Sequence, residues 1–362
     1  INNNDSLLEI VGEKQERKYL DILKTRILND KEIEEAKKNI KVVYTPLHGT
    51  GDLVVNRLLK GLGYKNIICV KEQQVVDGVF GTVKSPNPEN VEAFEMALKL
   101  ADEKGADICI GTDPDCDRLG VLVRKNGEFK PLTGNQIGIL MLEYILSQMK
   151  EKNILKDNYY VSTSIVSTNL TKRIAKEYGV NYYETLTGFK NICSASNNSE
   201  EEFLFGFEES FRISIWKSCR DKDGVVASML MLEIIAYYSM KNKDLFDVLE
   251  DIYEKYGYYL EIGESIVLKG IEGKEKIMTK MDTLRKEELE IIEDEKVLTI
   301  RDYEKDEKQK SNVLYYELEN DGWIAVRPSG TEPKIKFYIG VCSANMGDGI
   351  VRLEKLKRFI KI

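Results

Sequence analysis

Apolar residues along the chain repeat at two periods, and the alternation between those periods lays out the architecture. Leu20, Leu23 and Ile27 keep a helical spacing and predict an amphipathic helix from Glu13 to Leu28. A βαβ pattern follows: a strand from Lys41 to Tyr44, a turn Thr45-Pro-Leu-His-Gly-Thr-Gly51, a helix from Leu53 to Lys60 ended by Gly61, and a strand from Asn66 to Val70. Asn87 and Pro88 open another helix, with Val91, Phe94, Leu98 and Ala101 on one face and Gly105 at its end. It delivers the chain to a short apolar run at Ile108. Strands alternating with helices at this spacing predict a mostly parallel sheet.

The pattern restarts after an Asn126-Gly127 hairpin turn. A helix from Asn135 to Met149, a strand from Tyr159 to Thr163, a helix from Asn169 to Tyr178 ended by Gly179, and a strand from Val180 to Glu184 form a second α/β unit. Phe203 to Phe207 reads as a strand, Val225 to Tyr238 as an apolar core helix, and Asp244 to Tyr256 as a helix ended by Gly257. The remainder changes character. A charged helix near Lys274 to Arg285 precedes a polar loop or hairpin from Asp302 to Ser311. Strands follow at Val313 to Glu319, Gly322 to Arg327 and Lys334 to Val341, then a basic helix. The expected organisation is two mixed-sheet α/β domains, residues 1–129 and 130–256, followed by a smaller α+β domain over residues 257–362.

Composition narrows the class. The chain has 362 residues, 42% hydrophobic and 31% charged, and no run approaches the ~20 apolar residues that span a bilayer, so a soluble, non-membrane protein is expected. Six scattered cysteines without Cys-x-x-Cys spacing read as the reduced thiols of a cytoplasmic protein. The net charge of −8 argues against a nucleic-acid partner and means that an anionic substrate needs a locally basic site.

The chemistry concentrates where the first unit's apolar run stops. Asp113, Asp115 and Asp117 alternate directly after Gly111, Arg118 closes the series, and a second apolar run starts at Leu119. Pro114 cannot donate to a sheet ladder, so the carboxylates fall in a loop at the strand's C-terminal end, the edge where open α/β sheets bind ligands. Three neighbouring carboxylates repel one another unless a hard divalent cation such as Mg²⁺ or Ca²⁺ relieves them, with Cys116 pointing away. A solvated acidic turn is the other reading of the same residues. An EF-hand is excluded, because the sixth and twelfth positions counted from Asp113 are Arg118 and Arg124. A haloacid-dehalogenase-type loop wants Thr or Val where Asp117 stands.

Gly111-Thr-Asp-Pro-Asp-Cys-Asp-Arg-Leu-Gly120 resembles the magnesium loop of the α-D-phosphohexomutases, the phosphoglucomutase and phosphomannomutase family. Three further segments resemble that family's signatures in its order. Leu186-Thr-Gly-Phe-Lys-Asn-Ile192 is similar to the loop bearing a catalytic lysine, Glu208-Glu209-Ser210-Phe211 to the sugar-binding segment, and Arg327-Pro-Ser-Gly-Thr-Glu-Pro-Lys-Ile-Lys336 to the phosphate-binding loop. The resemblance implies a reversible shift of phosphate between the 1 and 6 positions of a hexose, through a phosphoserine and glucose 1,6-bisphosphate. It implies Mg²⁺ held by Asp113, Asp115 and Asp117, a positive donor at Arg118, and a proton carrier at Lys190. Glu208 and Ser210 would bind sugar hydroxyls, and Arg327, Ser329, Gly330 and Thr331 the distal phosphate. An arginine fork beside two hydroxyls and free amides suits a phosphate dianion on its chemistry as well. Glucose is the expected sugar, with mannose and pentose as alternatives.

Two segments compete with this picture. Gly49-x-Gly51 between strand and helix, with Glu72 at the end of the next strand, resembles a dinucleotide-binding fingerprint whose third glycine position is Val54, and leaves an NAD-dependent oxidoreductase as the alternative. Lys84-Ser-Pro-Asn-Pro88 superficially fits the family's Ser-His-Asn-Pro phosphoserine loop, but Pro86 stands where His belongs. Ser85 is therefore rejected. The family's N-terminal phosphoserine domain is expected to be missing from this chain, which would then be inactive alone and, if naturally short, a phosphosugar-binding protein.

Overall fold

The computed structural model describes residues 11–216, 219–307, 310–329 and 332–361. In chain order it forms α1 (Glu13–Lys24), α2 (Glu34–Asn39), β1 (Lys41–Thr45), α3 (Gly51–Gly61), β2 (Asn66–Cys69), α4 (Glu95–Lys104), β3 (Ile108–Thr112), β4 (Leu119–Lys125) and β5 (Glu128–Pro131). Next come α5 (Gly134–Glu151), β6 (Tyr159–Ser164), α6 (Leu170–Tyr178), β7 (Asn181–Thr185), α7 (Phe189–Ile192), β8 (Glu202–Glu208), β9 (Arg212–Ile215), α8 (Gly224–Ser239) and α9 (Leu245–Tyr256). The last stretch holds β10 (Tyr258–Val267), α10 (Gly270–Lys286), β11 (Ile291–Ile292), β12 (Glu295–Asp302), β13 (Leu314–Leu318), β14 (Trp323–Pro328), β15 (Lys334–Ser343) and α11 (Met346–Leu356).

The chain divides into two compact units, one of Ile1–Lys156, Glu202–Gly206 and Ser210–Val248, the other of Asp157–Glu201, Phe207–Glu209 and Leu249–Ile362. In the first, a five-stranded sheet runs β2-β1-β3-β4-β5. β2, β1 and β3 are parallel, while β4 and β5 turn back antiparallel, so the sheet is mixed. Its interior strands read as near-continuous apolar runs because both faces are covered. Phe94, just before α4, and Ala97 and Ala101 within it cover one face, against Val43, Cys109 and Leu122. α8 is apolar all round and buried over Gly224 to Ala236, as its sequence requires.

The N-terminal segment is fastened to α8 by a buried polar cluster. Glu233 is fully buried, and its Oε1 accepts the backbone N–H groups of Leu28 and Asn29 at 2.8 Å each and the Tyr144 hydroxyl at 2.9 Å. The Asn29 amide donates in turn to Tyr144 Oη and Gln148 Oε1. α2 packs on the same helix through Ile33, Ala36 and Ala236.

In the second unit, β6 and β7 pair in parallel beneath α6 and α7. A six-stranded sheet, β10-β15-β14-β13-β12-β11, has antiparallel pairing at every neighbouring pair of strands. One face packs Ile324, Val326, Ile335, Phe337 and Ile339 against Ile277, Met281 and Leu284 of α10 and Leu356 of α11. The other buries Tyr315, Trp323, Ala325 and Tyr338 with Ile165 and Val166 from the end of β6. β10 and β12 escape the sequence pattern. Apart from its first residues, β10 is at most half-buried, and half of β12 is exposed, so apolar alternation is weak in both. Among the described residues, no helix is long and apolar enough to cross a membrane.

Burial pushes the Glu233 carboxyl up to about 7, against the hydrogen bonds from Tyr144, Asn29 and Leu28 and the charge of Lys37. An unfolded glutamate titrates near ~4.3, so the native state binds more protons between those values. Its contribution is complete below the unfolded pKa and is lost as pH rises through about 7. Thermal melts from pH 5 to 8 should therefore show wild type losing up to about 3 kcal/mol more than Glu233→Gln over that window. Parallel melting curves would refute the assignment.

Candidate active site

The three aspartates occupy a tight turn that the fold braces from two sides. Cys116 sits at φ 59° in the left-handed region, and its N–H donates to Asp113 O at 2.9 Å. A non-glycine residue held there stores strain, so the surroundings must over-determine the turn. On one side Thr50 N–H donates to Pro114 O at 2.8 Å, and a Cβ on Gly49 would lie 2.4 Å from Pro114 Cα. On the other, Gly224 N–H, at the start of α8, donates to Cys116 O at 2.8 Å, and a Cβ there would stand 2.6 Å from that oxygen. Only glycine permits either approach. The Cys116 thiol is buried beside Thr112 and Gly51.

One oxygen from each of Asp113, Asp115 and Asp117 lies within 4.8 Å of the others. Asp113 is buried, and its Oδ1 accepts the N–H groups of Asp117 and Arg118 at 2.9 Å each. Burial and then the Asp117 charge push its carboxyl up to about 7 despite those bonds. Asp117 faces Arg118 Nε at 3.7 Å, Arg212 Nε at 3.5 Å and Lys222 Nζ at 3.2 Å, yet its buried Oδ1 has no hydrogen-bond partner. Arg118 is itself held by Glu89 and by Asp113 Oδ2 at 3.4 Å. An all-oxygen donor set with an orphaned buried oxygen and a carboxyl reluctant to ionise fits a hard divalent cation such as Mg²⁺. The turn bearing Ser210 is stitched beside this loop, since Leu119 N–H donates to Phe211 O at 3.0 Å and Arg118 bridges Arg212.

The second unit carries the other candidate groups. Lys190 is exposed on α7, whose Phe189 and Ile192 are buried. Its loop is fixed at Gly188, φ 115°, where the N–H donates to Oε1 of the buried Glu208 at 2.6 Å. Glu209 accepts from Ser164 Oγ at 3.3 Å and hydrogen-bonds Tyr338; burial and then Glu208 push its carboxyl up to about 7. Arg327 on β14 stands directly opposite Lys336 on β15, which places two cations side by side on one face. Ser329 N–H donates to Lys334 O at 2.7 Å and its Oγ accepts from Glu332 N–H at 3.3 Å, so the turn after β14 is closed. Gly330 and Thr331 lie outside the described residues.

Three domain models match the chain: phosphoglucomutase/phosphomannomutase alpha/beta/alpha domain II over residues 17–127, alpha/beta/alpha domain III over 133–256, and the C-terminal domain over 284–351. The chain belongs to the phosphoglucomutase/phosphomannomutase family. It is 36% identical over 321 residues to a phosphoglucomutase of Staphylococcus haemolyticus (strain JCSC1435), covering 84% of this chain and 58% of that protein. It is 38% identical over 328 residues to a phosphoglucomutase of Staphylococcus aureus (strain MRSA252), covering 86% and 58%. The chain thus spans less than two thirds of the curated relatives it matches. In fold it is similar to the Paramecium phosphoglucomutase pp63/parafusin, with a TM-score of 0.66 at 20% identity over 94% of this chain and 61% of that one. A phosphoglucomutase/phosphomannomutase family protein from Burkholderia thailandensis gives 0.60 at 19% over 96% and 70%.

Within this family framework the Gly49 turn is a brace. The Pro114 backbone fills the space against Gly49, and His48 spends both ring nitrogens on the Val75 carbonyl and the Thr82 hydroxyl, at 2.8 Å each. Ser85 is exposed. Arg212 and Lys222 had no role in the sequence reading, because Asp117 lies far from both along the chain, and Glu209 and Lys336 stood within the quoted segments without roles of their own. Calorimetry with Mg²⁺ should give markedly weaker binding for Asp115→Asn than for wild type, and equal affinities would remove the triad from consideration. Fluorescence titration with NADH should give no micromolar constant, since Val54 stands where the fingerprint needs a small residue for close helix–strand packing.

Proposed function

We propose that the chain carries the metal, sugar and phosphate sites of a phosphoglucomutase, which shifts phosphate between the 1 and 6 positions of glucose through a phosphoserine and glucose 1,6-bisphosphate. The observation that carries this reading is the 38% identity to a curated phosphoglucomutase along 86% of the chain. The clustered triad supports it.

Phosphoryl transfer asks a protein mainly for positioning and charge neutralisation. Asp113, Asp115 and Asp117 would hold Mg²⁺, which supplies positive charge against the phosphoryl oxygens. Arg118, tied to Asp113, Asp117 and Glu89, keeps the carboxylates in register and adds a donor. Lys190, exposed on a loop pinned by Glu208, would carry the proton of the sugar hydroxyl. Glu208 and Ser210 would bind sugar hydroxyls. Arg327 and Ser329 would receive the non-reacting phosphate, with Lys336 opposite Arg327 adding charge to the same face.

A guanidinium fork holds phosphate through charge-assisted bonds worth about 1.5–3 kcal/mol each, and a lysine does not reproduce its bidentate geometry. Arg327→Ala should therefore weaken glucose 1-phosphate binding at least roughly tenfold, and Arg327→Lys should recover only part of it. The measurement is an equilibrium titration, with mannose 1-phosphate in parallel. Undiminished affinity in Arg327→Ala would sink the phosphate assignment, and tighter binding of the mannose ester would redirect the substrate.

A further inference from the structure

The bracing of the acidic turn by α8 leads back to a residue near the start of the chain. Asp223 is the N-cap of α8, and its Oδ1 accepts the N–H groups of Val225 at 3.0 Å and Val226 at 3.1 Å. Its Oδ2 accepts the Tyr19 hydroxyl at 2.6 Å, from α1. The next residue, Gly224, holds Cys116 O, between two of the three aspartates, and the preceding one, Lys222, reaches Asp117 Oδ2 at 3.2 Å. Asp223 N–H donates to Ile213 O at 2.9 Å, so the cap is fixed on the side of β9 as well. We propose that Tyr19 is a positioning residue for the metal site, acting through the Asp223 cap on the backbone that presents Asp115 and Asp117.

Asp223 is buried, and a buried carboxylate oxygen without a donor costs free energy. Tyr19 supplies that donor, while the cap amides occupy the other oxygen. Without the hydroxyl, the carboxyl must take up a proton or rotate toward another donor, and either change loosens its hold on Val225 and Val226. Gly224 N–H and Lys222 Nζ flank the cap directly, so the acidic turn would lose the anchor that offsets the strain at Cys116. Groups that orient metal ligands from outside the coordination shell typically change affinity 10–100-fold when removed. Tyr19 stands one step further out, so a smaller effect, about three- to tenfold, is expected.

This inference rests on the metal reading, and the experiment separates the two. The 362-residue chain is titrated with Mg²⁺ alone by calorimetry as wild type, Tyr19→Phe, Arg17→Ala and Tyr19→Phe/Asp223→Asn. Arg17 lies on the same helix but is exposed, so its removal leaves Tyr19 in place. Tyr19→Phe should bind Mg²⁺ about three- to tenfold more weakly, with Arg17→Ala at the wild-type value. Asn caps a helix as well as Asp does and carries no charge to leave unsatisfied, so the double variant should recover most of the affinity. A melting temperature lowered in Tyr19→Phe with Mg²⁺ affinity unchanged would overturn the proposal, as would an equal loss in Arg17→Ala. Failure of wild type to bind Mg²⁺ would instead bring down the metal reading, and this inference with it.

Discussion

Holding three carboxylates together in a strained turn is the constraint on which the first unit depends. The charges repel and Cys116 sits in a backbone region that favours glycine; within the loop the Arg118 guanidinium and the amides of Asp117 and Arg118 offset part of the repulsion. The fold supplies further support from outside. The turn after β1 presses Gly49 against Pro114, and the start of α8 presses Gly224 against Cys116 O, so the loop is gripped by backbone contacts that tolerate no side chain. Arg118, Arg212 and Lys222 then gather around Asp117 and offset part of the repulsion. The remaining deficit, at Asp113 and at the orphaned Asp117 oxygen, is what a hard cation would relieve.

The grip has its own supports. α8 holds its place because it is apolar on every side, because Asp223 and Tyr19 fix its first turn, and because Glu233 ties its middle to the backbone of Leu28 and Asn29. Tyr19, Leu28 and Asn29 are therefore bonded to the same helix that braces the acidic turn. In the second unit the equivalent task falls to Glu208, which fastens the lysine loop, and to the antiparallel register of β14 and β15, which sets Arg327 beside Lys336. A sheet covered on both faces, by α10 and α11 on one and by Ile165 and Val166 on the other, keeps that register from slipping.

Much of this was legible in the chain where the signal is local. Alternating aspartates after an apolar run, helix stops at Gly105 and Gly179, and the parallel units before Gly127 all depend on neighbours within a few residues, and the structure has them. Strands β10 and β12 were not legible, since they expose much of their surface and place apolar side chains such as Val267, Leu298 and Ile300 there, which blurs the alternation a half-buried strand shows. The first sheet was expected to be mixed and is: β2, β1 and β3 run parallel as the βαβ spacing requires, while β4 and β5 turn back antiparallel through short connections, with the Asn126-Gly127 hairpin between them.

The sequence by itself determined most of the elements, the family and the candidate loops, because motif spacing and hydrophobic period are properties of contiguous residues. Tertiary structure alone decided which groups meet: Tyr19 with Asp223 across 204 positions, Arg212 and Lys222 with Asp117, Gly188 with Glu208. It also decided that Gly49 and His48 brace a loop, because only the fold shows Pro114 filling the glycine's space and both imidazole nitrogens already engaged. The physical reason is that burial and hydrogen-bond satisfaction are settled by neighbours in space, and a linear pattern carries no record of which distant residue will supply the missing donor.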